Sequence, residues 1–184
     1  TGTLGVRLSG GLDVGENGKI KLAVEVATQS DVANNAVSYD AVSYDAEYAL
    51  IDASWAMKNG VTLGLAYESL GGDANTPGAS FRTPLATLHA FQGWADKFLA
   101  TPGQGINDLY ATIKFNVSKW NLTGVYHDFS AESGSGDFGT EFDLSAGTKI
   151  TDNYNILFKG AFFSSDSLAY DDTTKFWIMF TANY

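Results

Sequence analysis

Several residue types and patterns are scarce or missing in this chain, and each scarcity excludes a class of protein. The sequence has no cysteine, which excludes disulfides, thiol nucleophiles and cysteine-ligated metals. It has only 3 prolines in 184 residues, and no apolar run is long enough for a transmembrane helix. Basic residues are also few, 11 against 21 acidic ones. Because they form no cluster, nucleic-acid binding is not predicted.

Side chains typical of catalytic or metal centres are equally sparse. The 2 histidines, His89 and His127, are too few for a histidine-based metal site, and no G-x-S-x-G motif occurs. No catalytic residue, enzyme activity, cofactor or metal is therefore predicted. The stretch that carries Asp137, Glu141 and Asp143 leaves two interpretations, oxygen ligands for Ca²⁺ or, in preference, a solvated acidic loop.

The chain is rich in glycine and aromatic residues, and apolar and polar side chains alternate along most of its segments. Its 20 Gly, 9 Tyr and 12 Phe fit strands joined by turns. At the start of the chain, Leu4, Val6 and Leu8 alternate with Arg7 and Ser9, and alternate residues of a strand point to opposite faces. Nine such segments are predicted, each of about ten residues, the length of a tilted membrane strand. They cover 3–14, 19–28, 48–57, 61–69, 108–117, 120–129, 140–150, 154–163 and 175–184.

The connections between these segments alternate in length. Short turns near 16–18, 58–60, 118–119 and 151–153 alternate with longer polar connections at 30–43, 70–105, 130–138 and 165–173. Short turns on one rim and long loops on the other are typical of an outer-membrane barrel, whereas a soluble sandwich, the alternative, has no reason to alternate. The pattern predicts that 1–184 is a single antiparallel transmembrane β-barrel unit in the outer membrane of a Gram-negative bacterium. Its neighbours would be lipid and lipopolysaccharide.

Basic residues fall opposite the apolar face of the predicted strands. A Lys or Arg in the middle of the lipid-facing surface would cost about 2–4 kcal/mol, so these residues are predicted to line the lumen. Acidic residues occupy the same alternate strand positions and reduce the net positive charge of the predicted lumen. The predicted pore-lining residues are Arg7, Lys19, Lys21, Glu25, Glu68, Lys114, Glu141, Asp143, Lys149, Lys159 and Lys175.

One segment, 83–99, departs from the strand pattern. Thr83 is a suitable helix N-cap and Pro84 a suitable first helical residue, and apolar residues then recur at helical spacing. A short helix inside the 70–105 connection is predicted, either as a constriction or lid of the pore or as a helix against the outer loops without a role in passage. The predicted constriction residues are Arg82, His89, Trp94 and Lys97.

Five stretches carry a family resemblance: "TPLATLHAFQGWADKFLATP", "VTLGLAYESLGGD", "DLYATIKF", "VYHDFSAE" and "DTTKFW". Together they resemble the alginate export family of outer-membrane proteins, over the C-terminal part of that family. The resemblance implies a large monomeric barrel that conducts an anionic polysaccharide. With the odd number of strands, it also predicts that the present chain is one portion of a larger barrel. The free edge of the first strand would pair with an upstream half, with another envelope protein or, in a smaller closed barrel, with the last strand.

The sequence therefore predicts a porin-like channel for export or diffusion of an anionic or polar solute, a polysaccharide such as alginate among them. The alternative is a non-conducting structural or adhesion barrel whose acidic outer loops bind a partner or divalent cations. The last strand, which ends on Tyr184, resembles the C-terminal signal read by the barrel assembly machinery. That machinery is a predicted partner.

Overall fold

A computed structural model describes residues 1–30, 45–76, 78–84 and 91–183. These residues form one antiparallel sheet of nine strands with almost no helix. The strands are β1 Gly2–Asp13, β2 Lys19–Ser30, β3 Asp45–Ala56, β4 Thr62–Leu70, β5 Ile106–Val117, β6 Trp120–Ser130, β7 Asp137–Lys149, β8 Tyr154–Ser165 and β9 Thr173–Ala182. A single 3₁₀ turn, Gly15–Asn17, lies between β1 and β2.

The strands follow one another in the sheet in chain order, each paired antiparallel with the strand before it and the strand after it. The predicted number of strands is confirmed, and so is the alternation of short and long connections. Turn chemistry explains the tight ends: Gly60, with a φ of 88°, turns β3 into β4, and Ser118, with a φ of 55°, turns β5 into β6. Positive φ is the conformation that closes a tight hairpin.

The described sheet is open. β1 and β9 form its two edges and do not pair with each other among the described residues, so a closed barrel is not observed. Because each of the nine strands runs opposite to its neighbour, β1 and β9 run in the same direction.

The two faces of the sheet differ in chemistry, as the alternation predicts. On the apolar face large side chains are exposed, with Leu4 at 77% and Phe176 and Ile178 at 71% of their full accessible surface. The opposite face, called the polar face below, carries the charged side chains of the strands. Several of these, including Asp108, are almost completely buried.

The predicted helix is wrong for every described residue of 83–99. Gln92, Gly93 and Asp96 have φ values of 48°, 80° and 57°, and three positive φ values within five residues cannot be part of a right-handed helix. Residues 85–90, which include His89, lie outside the described residues. Among the described residues, no helix is long and apolar enough to span a membrane.

The apolar core lies on the polar face, toward the end of the sheet where the long connections attach. Phe98 from the 71–105 connection packs there with Leu70, Ile106, Phe129 and Phe163 from four strands. The connection therefore folds back onto the sheet. It takes part in the only buried apolar cluster that the described residues form.

Candidate functional site

Residues 91–99, called the inner segment below, lie on the polar face and are held there by backbone hydrogen bonds to two carboxylates of β7. The N–H groups of Trp94 and Ala95 donate to Glu141 Oε1, at 2.5 and 2.7 Å. The Trp94 N–H also lies 3.2 Å from Asp143 Oδ2. Successive N–H groups that converge on one oxygen form an anion-binding nest. Here the bound anion is the chain's own Glu141.

Gly93 makes this approach sterically feasible. Its φ of 80° is in the left-handed region that favours glycine, and a Cβ built on it would point into the carboxylate of Glu141. A Cβ at this position would lie 2.6 Å from Glu141 Oε2, so either the inner segment or the carboxylate would have to move. The glycine is therefore required for both its conformation and its lack of a side chain.

A third carboxylate, Glu68 on β4, anchors the start of the inner segment. Its Oε2 accepts a hydrogen bond from Gln92 Nε2 at 2.6 Å, and its Oε1 accepts one from the Tyr48 hydroxyl at 2.7 Å. Glu68 is 6% exposed. Both of its oxygens are thus satisfied by neutral donors, as a buried carboxylate requires.

His127 on β6 lies between two carboxylates on the neighbouring strands, Asp108 on β5 and Asp143 on β7. Its Nδ1 lies 2.9 and 3.0 Å from the two carboxylate oxygens of Asp108 on β5, and its Nε2 lies 3.7 Å from Asp143 Oδ2 on β7. An Nδ1–H that donates to Asp108 fixes the ring orientation. Asp108 and His127 were not among the predicted site residues, because only the strand register brings them together.

Aromatic packing fixes the far end of the inner segment. The ring of Phe98 lies 4.8 Å from Phe129, 5.0 Å from Tyr170, 5.7 Å from Phe138 and 6.0 Å from Phe163, centroid to centroid. Several of these rings meet edge to face, the favourable geometry for aromatic pairs. Phe98 is therefore the main apolar anchor of the inner segment.

Three lysines complete the contact between the inner segment and the last strands. Lys159 Nζ on β8 lies 3.9 Å from the Trp94 ring centroid, a cation–π contact. Lys175 Nζ on β9 lies 3.1 Å from Asp96 Oδ2, and Lys97 Nζ from the inner segment donates to Thr173 Oγ1 at 2.8 Å. Two of the predicted pore-lining lysines thus contact the inner segment directly.

The strand register places acidic and basic residues of the polar face in different rows across the sheet. Toward the end with the long connections, one row of residues that lie opposite one another on successive strands contains Arg7, Glu25, Glu68 and Asp108. The neighbouring row contains Asp52, Tyr110, His127 and Glu141. In these rows the single arginine is paired, since Arg7 Nη1 contacts Glu25 Oε2. This end of the polar face is acidic.

Toward the end with the short turns, the rows are rich in lysine. One row contains Lys21, Asp143 and Lys175, and the next contains Asp13, Lys19, Lys114 and Lys159. Lys149 lies at the end of β7, on the same side. The polar face therefore changes from acidic to basic along its length.

The inner segment leaves part of the polar face uncovered. A groove of about 300 Å³ runs over β2–β5 between Lys21 and Lys114, and a neighbouring one of about 370 Å³ runs over β1–β3 beside Arg7 and Lys19. A third, of about 200 Å³, lies under the inner segment between Lys114 and His127. The two uncovered grooves are thus lined by Lys19, Lys21 and Lys114 together with Arg7 and Asp52.

Of the predicted constriction residues, Trp94 and Lys97 belong to the inner segment, and Arg82 lies earlier in the connection. The backbone N–H and C=O of Arg82 both bond the side-chain amide of Gln29, at 2.7 and 2.9 Å. Its guanidinium donates to the Gly78 carbonyl. Arg82 thus ties the connection to β2 near the long-connection end of the sheet.

The preference for a solvated acidic loop at 133–143 is wrong for two of its three acids. Asp137 is exposed at the start of β7, but Glu141 and Asp143 are 1% and 0% exposed beneath the inner segment. The error arose because the stretch is locally polar and glycine-rich, while its burial depends on a segment that lies more than forty residues earlier.

No family model, no curated protein and no solved structure matches this chain. The resemblance to the alginate export family therefore stays a prediction from the sequence.

Proposed function

We propose that the sheet is one wall of an outer-membrane barrel, and that the polar face lines a lumen through which an anionic or polar solute passes. In this arrangement the inner segment narrows the lumen. The observation that carries the proposal is the division of one sheet into an exposed apolar face and a polar face covered by its own connection.

The apolar face supports a lipid environment. Monomeric soluble proteins rarely expose a continuous apolar patch of more than a few hundred Å², and here exposed large side chains recur along every strand, Leu4 on β1 and Phe180 on β9 included. The meander also supports it, because sandwiches are built with Greek-key connections.

The polar face supports passage rather than a packed interior. Its grooves remain uncovered beside the inner segment, and Lys19, Lys21 and Lys114 lie in or beside them. Positive charge focused in a narrow, low-dielectric pore favours anions. The sequence resemblance adds an anionic polysaccharide such as alginate to the candidate solutes.

Closure requires further strands under this proposal. Unpaired strand edges cannot face lipid, since each unsatisfied backbone group would cost several kcal/mol. β1 and β9 run in the same direction, so an entirely antiparallel wall closes only with an odd number of additional strands between them. Under this proposal those strands come from this protein or from another envelope protein.

The second candidate is a non-conducting structural or adhesion barrel. The observation in its favour is the tight attachment of the inner segment, with buried contacts to Glu68 and Glu141 and an aromatic anchor at Phe98. A segment held this firmly would act as a plug.

Recording from planar bilayers separates the two candidates. Conduction with anions preferred over cations is the expected result for the channel. Protein that inserts and never conducts would favour the plugged barrel, and a preference for cations would contradict the role given to the lysine-rich rows.

A further inference from the structure

Glu141 and Asp143, the two carboxylates that hold the inner segment, each have one buried oxygen without a hydrogen-bond partner among the described residues. Glu141 and Asp143 lie two residues apart on β7 and face the same side, and the Trp94 N–H lies 2.5 Å from Glu141 Oε1 and 3.2 Å from Asp143 Oδ2. Yet Glu141 Oε2 and Asp143 Oδ1 are buried and have no partner among the described residues. Ionised carboxylates only accept hydrogen bonds, so two ionised groups could not satisfy each other.

We propose that Glu141 and Asp143 share one proton, and that this proton holds the inner segment on the sheet. The proton lies on Asp143 Oδ1 and is donated to Glu141 Oε2, which satisfies both oxygens with one hydrogen atom. Glu141 is the acceptor because two backbone N–H groups, those of Trp94 and Ala95, already stabilise a negative charge on its other oxygen. Asp143 has only the single longer contact from Trp94.

The groups that face the pair from the packed elements do not replace this proton. They are Glu68 on β4, Asp108 and Lys114 on β5, His127 on β6, Lys159 on β8, Lys175 on β9, and Asp96 and Lys97 in the inner segment. His127 already contacts Asp108 through Nδ1, and its Nε2 is 3.7 Å from Asp143, beyond hydrogen-bond range. Lys175 contacts Asp96, and Lys159 lies over Trp94.

A metal ion is not the better occupant. Among the described residues, no three His, Asp or Glu side chains are arranged to hold one. The donors that approach the pair are backbone N–H groups, which would repel a cation. Lys159 interacts with Asp143 through its charge and stabilises the single negative charge that remains when one proton is shared.

Loss of the proton would release the inner segment. Two neighbouring buried anions repel each other and carry a large desolvation cost, and the least costly relief is to admit water by lifting residues 92–95 from β7. The attachment is therefore present while the shared proton is bound and is lost once the pH is high enough to remove that proton. That the released segment widens a lumen rests on the proposed function; the shared proton itself does not.

Infrared spectroscopy of the intact protein in detergent tests the proton directly. In the wild type, a protonated-carboxyl C=O band is expected at neutral pH and should disappear at higher pH. In Asp143→Asn and in Glu141→Gln the band should be absent at both pH values. Each amide supplies the missing donor and leaves the other carboxylate ionised. Asp166→Asn, a change at an exposed acid of the β8–β9 connection, should keep the band. Absence of the band at neutral pH, or its survival in both amide variants, would overturn the proposal.

Hydrogen exchange at the Trp94 and Ala95 amides tests the attachment without any need for conduction. In the wild type these amides should lose protection at high pH relative to amides of β7 measured at the same pH. Both amide variants should retain it, because their donors do not titrate. Equal behaviour of wild type and variants across the pH range would show that the pair does not control the inner segment. A protein that never conducts but shows this difference would contradict only the proposed channel.

Discussion

The Nζ atom of Lys159 lies 3.9 Å from the centre of the Trp94 ring. This contact joins a strand residue predicted to line a pore to a residue predicted to narrow it. Cation–π contacts contribute about 0.5–1 kcal/mol at exposed sites and about 2 when desolvated. Lys159 thus both attaches the inner segment and contributes to the charge of the polar face.

The lipid-facing assignment predicts opposite behaviour for neighbouring side chains. Spin labels at Leu22, Ile113 and Phe158 on the apolar face should be accessible to oxygen dissolved in lipid. Labels at Lys21 and Lys114 should be accessible to a water-soluble paramagnetic reagent. Leu22 is next to Lys21 and Ile113 is next to Lys114, so each of these pairs compares the two faces of one strand. Identical accessibility at all five positions would reject the assignment.

Removal of the aromatic anchor should loosen the inner segment. Phe98→Ala deletes a ring that is 6% exposed and packed among four others, at a cost of about 3–5 kcal/mol for a buried Phe. Protease cleavage within 91–99 should become faster. Leu99→Ala, next to it but at a side chain 58% exposed, is the matched control and should leave cleavage unchanged. Equal rates in the two variants would show that the ring cluster does not hold the segment.

Glycine is predicted to be obligatory at one position of this connection and not at another. Gly93→Ala forces alanine into a φ of 80° and directs its Cβ at the Glu141 carboxylate; the left-handed conformation alone costs about 1–2 kcal/mol. The Trp94 and Ala95 amides should lose hydrogen-exchange protection. Gly103→Ala, where a Cβ meets nothing within 4 Å, should not affect them. Unaltered protection in Gly93→Ala would disprove the close packing on Glu141.

The lysine-rich rows should set ion preference. Replacement of Lys19, Lys21 and Lys114 together by Gln removes three positive charges beside the uncovered grooves and should lower the anion-to-cation permeability ratio, with a larger effect at low salt because salt screens charge. Lys58→Gln with Lys119→Gln, both in short turns outside the strands, is the control. Reversal potentials in a salt gradient measure the ratio. An unchanged ratio in the triple variant would exclude these lysines as the source of selectivity.

The sequence was sufficient for the strands and their faces because both depend on local features. Alternation places Leu4 and Arg7 on opposite faces regardless of the rest of the chain, and Asn-Gly pairs such as Asn59–Gly60 mark tight turns. Nine strands in meander order follow from those signals. A closed barrel, completed by strands beyond these nine, was also predicted, and it is not observed among the described residues.

The inner segment could not be predicted because its conformation is set by distant residues. Its apolar spacing is typical of a helix, yet the N–H groups of Trp94 and Ala95 that a helix would use are taken by Glu141, 46 residues from Ala95. The pairing of Asp108 with His127 depends in the same way on strand register. A single weak signal was present: Gly93 interrupts the helical pattern, and a glycine there is costly in a helix.

The most direct test of the account is the single-channel conductance of the protein with and without residues 79–104, rejoined by a short Gly/Ser linker. Heat-modifiable migration on gels would show that the shortened protein still folds as a barrel. The Gly93→Ala/Phe98→Ala double variant keeps the full chain length and serves the same measurement. Both variants should show a clearly larger conductance than the wild type, because the inner segment no longer narrows the lumen. An unchanged or smaller conductance in folded, inserted variants would contradict the claim that the inner segment narrows a conducting lumen.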